Sequence, residues 1–114
     1  MIEVIQENIS KDIVDNWFSE WEQLSSQIHK AHEKRDRELA NSLMQKGIAH
    51  YEALLIRSGN VEFVGDEDFE LYPVNGKERF QFIKMRPAQF ACYRQLDELF
   101  KETKKRAARL RIKK

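Results

Sequence analysis

The sequence encodes an all-α fold: a helical bundle of three long helices and one short helix, with an irregular acidic loop or small hairpin at about 59–75. Apolar side chains return every three or four positions over most of the chain, the period of a helix face. Only four Gly and two Pro interrupt 114 residues, too few for the many turns of an all-β domain. Charged residues make up 34%, as expected of helices with solvated outer faces, and the 41% that are apolar supply one core. The length suits a single helical domain over 1–114.

The first helix starts near Ser10, a good N-cap. Ile13, Trp17, Trp21, Leu24, Ile28 and Ala31 then follow at spacings of 4, 4, 3, 4 and 3, one helix face. Residues 29–38 are polar apart from Ala31, and no Gly or Pro forces a break there. Residues 10–57 are either one long helix or two. A turn near Lys34–Asp36, with Asp36 as cap, is favoured because a compact domain wants helices under ~25 residues. The second helix carries two adjoining stripes, Leu39, Leu43, Gly47, His50, Leu54 and Ala40, Met44, Ile48, Tyr51, Leu55. It is therefore apolar over a broad arc and central. Gly47 costs up to ~1 kcal/mol relative to Ala in a helix, which a close helix crossing would explain. Ser58-Gly59-Asn60 is the stop.

Residues 61–64 and 69–72 either pair as a small hairpin around 65–68 or lie extended across the bundle. Asn75 to Glu78 reads as a capping box for a short third helix with Phe80, Phe82 and Ile83 turned inward. Arg86-Pro87 ends it, and Pro87 suits the first position of a fourth helix. There Phe90, Tyr93, Leu96, Phe100, Thr103, Ala107 and Leu110 form the inward face, with the last turns expected to fray.

Net charge is +1, but it is divided unevenly. Residues 101–114 hold eight Lys and Arg against one Glu, a balance of +7, and the rest hold 12 against 18, a balance of −6. The acidic first residues do not resemble a signal peptide, and no apolar run approaches the ~20 residues that span a bilayer. The single cysteine, Cys92, cannot form an internal disulfide. A cytoplasmic protein without membrane contact is the expectation.

Candidate chemistry is sparse. His29, His32 and Glu33 share a helix face at a spacing that can hold a divalent metal, with His50 as a further ligand from the next helix. The Glu-x-x-His pairs of bundle metal sites are missing, so a solvated surface is the favoured reading. Asp66-Glu67-Asp68-Phe69-Glu70 resembles the front of a calcium loop but has Leu71 where the sixth position needs Gly. Cys92 lacks a positioned base and reads as an inert thiol. Arg79 and Arg86 are anion-binding candidates, although pairing with the acidic loop is preferred. Lys104, Lys105, Arg106, Arg109, Arg111, Lys113 and Lys114 are candidates for contacting nucleic-acid phosphates. Cations near a helix C-terminus also suit the macrodipole without any ligand.

The run Tyr72-Pro73-Val74-Asn75-Gly76-Lys77-Glu78-Arg79-Phe80-Gln81-Phe82-Ile83 resembles the YpoC-like family, short uncharacterised proteins of Gram-positive bacteria. So do Arg86-Pro87 and Gln95-Leu96-Asp97-Glu98-Leu99-Phe100 through Lys104-Lys105. Arg35-Asp36 and Gly47-Ile48 are similar too, so the resemblance covers about residues 35–107. It implies a bacterial cytosolic helical protein and no catalytic residues. Pro73, Asn75, Glu78, Arg79, Arg86 and Pro87, which carry it, also read as caps and helix ends.

The function expected is therefore non-enzymatic, without a cofactor: a helical module that binds a protein partner or its own copy. The alternative is an accessory nucleic-acid binder acting through the basic tail. A metal-dependent enzyme built on His29, His32, Glu33 and His50 comes last.

Overall fold

A computed structural model describes residues 1–112. A 3₁₀ turn, Gln6–Ile9, leads into α1 (Lys11–Glu33), α2 (Arg37–Gly59), the short α3 (Gly76–Met85) and α4 (Phe90–Ile112). The chain is all-α, as its periodicity implies, and α1 runs antiparallel to both α2 and α4.

Residues 10–57 form two helices. Ser10 caps α1, its Oγ accepting from the Ile13 N–H. The break needs no Gly or Pro because Arg35 takes the left-handed conformation, with φ of 56°. The Asp36 N–H then donates to the Ala31 carbonyl and the Arg35 N–H to that of His32, a Schellman closure. Asp36 next turns its carboxylate to the Leu39 N–H and starts α2, as expected of it. α2 stops in the same manner. Asn60 is left-handed at φ 52°, with bonds from Asn60 to Arg57 and from Val61 to Ile56.

Trp17, Trp21, Ile28 and Ala31 of α1 are buried as the spacing implies; Ile13 and Leu24 are only partly covered, and Val14 is fully enclosed. α2 buries both of its stripes except Leu39, at its exposed first turn, and His50, which is half-buried. Gly47 lies under the Trp21 ring, the close crossing that the sequence suggested. A Cβ there would stand 2.8 Å from Trp21 Cζ3 and 3.3 Å from Leu96 Cδ2.

Residues 60–75 cross the bundle as an irregular strap of bends and turns and form no hairpin. Their partner is the start of the chain. The Ile2 N–H donates to the Asp68 carbonyl at 2.9 Å and the Glu70 N–H to the Ile2 carbonyl at 2.8 Å, an isolated parallel bridge. Phe69, Leu71 and Tyr72 are driven into the core, so the strap is anchored at its apolar end while residues 65–68 stay in solvent.

Three expectations around α3 fail for local reasons. The capping box is absent: Asn75 is left-handed at φ 57° and its side chain makes no cap bond, because the chain enters α3 through a turn closed by Gly76 N–H to Pro73 C=O. Phe82 points outward, 48% exposed. At ~100° per residue it lies roughly opposite the buried Phe80 and Ile83. Pro87 precedes α4 instead of opening it. It sits in a turn closed by Gln89 N–H to Arg86 C=O, and the helix starts at Phe90, itself 43% exposed. The other inward residues expected of α4 are buried, and the helix continues into the basic segment as far as Ile112.

The Gly47 crossing yields a test. Gly47→Ala gains up to ~1 kcal/mol of helix propensity but must push the stacked Trp21 ring aside, at a cost of ~1–3 kcal/mol. Urea denaturation is expected to show a net loss of stability. A more stable variant would mean that the ring yields.

Candidate functional site

The side chains proposed as metal ligands are not brought together. His29 and Glu33 face solvent 3.6 Å apart. His32 lies in the α1–α4 contact beside the same two rings that His29 approaches, edge-on to Phe90 at 5.2 Å and stacked with Tyr93 at 6.0 Å. Its Nε2 is buried without a hydrogen-bond partner. His50 lies three turns along the α1–α2 contact, about 18 Å from the His29 level. There it exchanges bonds with Trp17: the indole N–H donates to the His50 carbonyl at 2.9 Å, and His50 Nε2 sits 2.7 Å from the Trp17 carbonyl. A carbonyl only accepts, so that nitrogen carries the proton and has no lone pair for a metal. Among the described residues, no three His, Cys, Asp or Glu side chains converge so as to hold a metal ion.

Arg79 is engaged, but not by the acidic loop. Its guanidinium forms a fork with Glu102 of α4, at 2.9 and 2.7 Å, and also reaches the Val74 carbonyl at 3.2 Å. The paired charge holds the Glu102 carboxyl below its usual range. Arg86 stands apart, exposed beyond the end of α3. The two arginines therefore do not form one anion site. The acidic loop is partly tied down: Glu70 Oε1 accepts from the Val4 N–H, and Asp66 offers its carbonyl to Lys77. Cys92 is fully buried, and desolvation raises its thiol pKa, which leaves it protonated and shielded.

The basic segment is largely used to hold the C-terminal half of α4 on the body. Lys104 lies 4.0 Å from Asp15 and over the Phe18 ring at 4.5 Å. Arg106 Nε donates to the Glu70 carbonyl at 3.0 Å, and Arg111 donates to the Ile9 carbonyl at 2.8 Å. Lys105 and Arg109 are exposed, one turn apart, with no ion-pair partner among the described residues. Lys113 and Lys114 lie outside the described residues.

The outer face of α3 is a feature that sequence reasoning missed. Phe82 and Met85, spaced i and i+3, are 48% and 74% exposed, with Arg86 exposed beside them. The available signal was the turn geometry: with Phe80 and Ile83 both facing inward, Phe82 cannot share their face.

Together these features define a small all-α protein with an aromatic interior, several of whose ionisable groups tie elements together. The chain belongs to the YpoC-like protein family, whose model matches residues 11–114. It is 28% identical over 95 residues to the "Uncharacterized protein YpoC" of Bacillus subtilis (strain 168), a match covering 77% of this chain. The same match covers 58% of that relative, so the chain spans a little over half of its length. No solved structure gives a significant match. No helix among the described residues is long and apolar enough to cross a membrane.

The environment of His32 sets a pH dependence. Burial, and then the neighbouring His29, lower its pKa from the ordinary 6.5. The unfolded chain therefore takes up the proton first. The stability this contributes is present above pH ~6.5 and is lost as pH falls through the lower folded value. Urea midpoints are expected to drop between pH 7.5 and 5.5 in the wild type and to flatten in His32→Gln. Equal slopes in the two proteins would exclude His32 as the source.

Proposed function

We propose that this protein is a non-enzymatic helical module that docks a protein partner through the outer face of α3. The observation that carries this reading is the exposed trio Phe82, Met85 and Arg86 on one face of α3. Aromatic, Met and Arg side chains are the types enriched at the centres of protein interfaces. Phe80 and Ile83, fully buried beneath them, fix the helix so that the face is presented without rearrangement. A patch of three side chains is small for a stable homodimer, which favours a different protein with an apolar pocket over a second copy.

Contact with nucleic acid through the tail has less support. Lys104, Arg106 and Arg111 are already engaged with the body, which leaves Lys105 and Arg109 as the exposed pair within the described part of the tail.

The double variant Phe82→Ala, Met85→Ala changes exposed positions only, so its stability is expected to stay within ~0.5 kcal/mol of wild type. Affinity capture from the source cells, with crosslinking from α3, is expected to recover one partner in stoichiometric amount with wild type and to lose it with the variant. Light scattering is expected to show a monomer. A partner retained equally by the variant, or failure to recover any partner, would contradict the proposal.

A further inference from the structure

The C-terminal half of α4 and the strap enclose a groove of about 690 Å³. That volume falls within the ~300–1,000 Å³ of small-molecule sites. Lys105, Arg106 and Arg109 of α4 line it, and so does Lys77 of α3.

The bonds made by these cations matter more than their number. Lys77 and Arg106 each donate to a main-chain carbonyl, those of Asp66 and Glu70, at 2.9 and 3.0 Å. A carbonyl orients a cation but does not cancel its charge. Lys105 and Arg109 have no ion-pair partner among the described residues. The groove also contains carboxylates. Glu102 is paired with Arg79, whereas Glu70 and Asp68 accept main-chain N–H bonds from Val4 and Phe69 that orient them and leave their charge in place. Glu78 is exposed and has no ion-pair partner among the described residues.

We infer that this groove binds a small, multiply charged anion of the pyrophosphate or phosphate-ester class. Lys105 and Arg109 supply the unspent charge, and Arg106 is held in place by its bond to Glu70. One helical turn separates Lys105 from Arg109, a rise of ~6 Å that lets the two cations meet neighbouring phosphoryl groups. Arginine adds a planar fork suited to phosphate oxygens, and lysine a mobile point charge. The site is separate from the outer face of α3, and the inference does not depend on the docking role proposed for that face.

The test is calorimetric titration of the full chain with pyrophosphate, with sodium chloride adjusted to hold ionic strength constant. Saturable one-to-one binding is expected. Lys105→Ala combined with Arg109→Ala should weaken it by about tenfold or more, with an unchanged thermal melt because both positions are exposed and unpaired. Glu78→Gln should tighten it severalfold by removing an exposed carboxylate that has no hydrogen-bond or ion-pair partner among the described residues. The inference is overturned by absence of saturable binding, by full retention in the double variant, or by weaker binding in Glu78→Gln. Binding of duplex DNA that the double variant loses, without pyrophosphate binding by wild type, would replace the small anion with nucleic acid and also overturn it.

Discussion

The Trp21 side chain touches α1, α2 and α4 at one place. Its ring stacks on Phe100 with centroids 4.1 Å apart and planes 2° from parallel, and its other edge lies over the bare backbone at Gly47. The indole N–H donates to Asp97 Oδ1 at 2.9 Å, while Lys101 pairs with Oδ2 of the same carboxylate at 2.9 Å. Its polar atom is thus satisfied at the edge of the core while the ring is fully buried. A residue of that size removes ~150–250 Å² from water, worth roughly 4–6 kcal/mol at the usual area coefficient. In a domain with a total stability of ~5–15 kcal/mol, that contact is a large share. One turn earlier, Trp17 repeats the arrangement on a smaller scale, packing on Phe100 at 4.7 Å and exchanging bonds with His50.

Around the aromatic packing, polar groups join elements both inside the bundle and at its margins. Tyr51 meets Thr103 inside the bundle at 2.7 Å, Arg79 and Glu102 join α3 to α4, and Ile2 pairs with the strap at Phe69. None of these pairs has the nucleophile-and-base geometry of a catalytic centre. The surface carries two further features: an apolar face on α3 and a charged groove beside α4. The groove lies between α4 and the strap, which Phe69 and Tyr72 anchor in the core and Arg106 bridges to α4.

The sequence made the long helices legible because each buries a broad stripe, and stripes follow from periodicity alone. Asp36 was readable as a cap, although the left-handed turn at Arg35 that releases it was not, since arginine carries no preference for that conformation. The capping box at Asn75 was misread for a related reason. The same residue types serve a cap or a turn, and only the approach path of residues 73–76 decides which. The strap could not be placed from local pattern because its partner, Ile2, lies 67 positions away in the chain. Charge counting made the basic segment conspicuous, yet it gave no hint that carbonyls of Ile9 and Glu70 would hold two of its arginines. His29, His32 and Glu33 share a helix in sequence, but the His32 Nε2 is buried where Phe90 and Tyr93 pack, while His29 and Glu33 are exposed beside each other.

The central claim is that one indole ring packs between Gly47 and Phe100 and thereby joins three helices. Proton NMR tests it directly. The account predicts cross-relaxation from the Trp21 ring protons to the Gly47 Hα atoms and to the Phe100 ring. Absence of magnetisation transfer from the indole to Gly47 would contradict it.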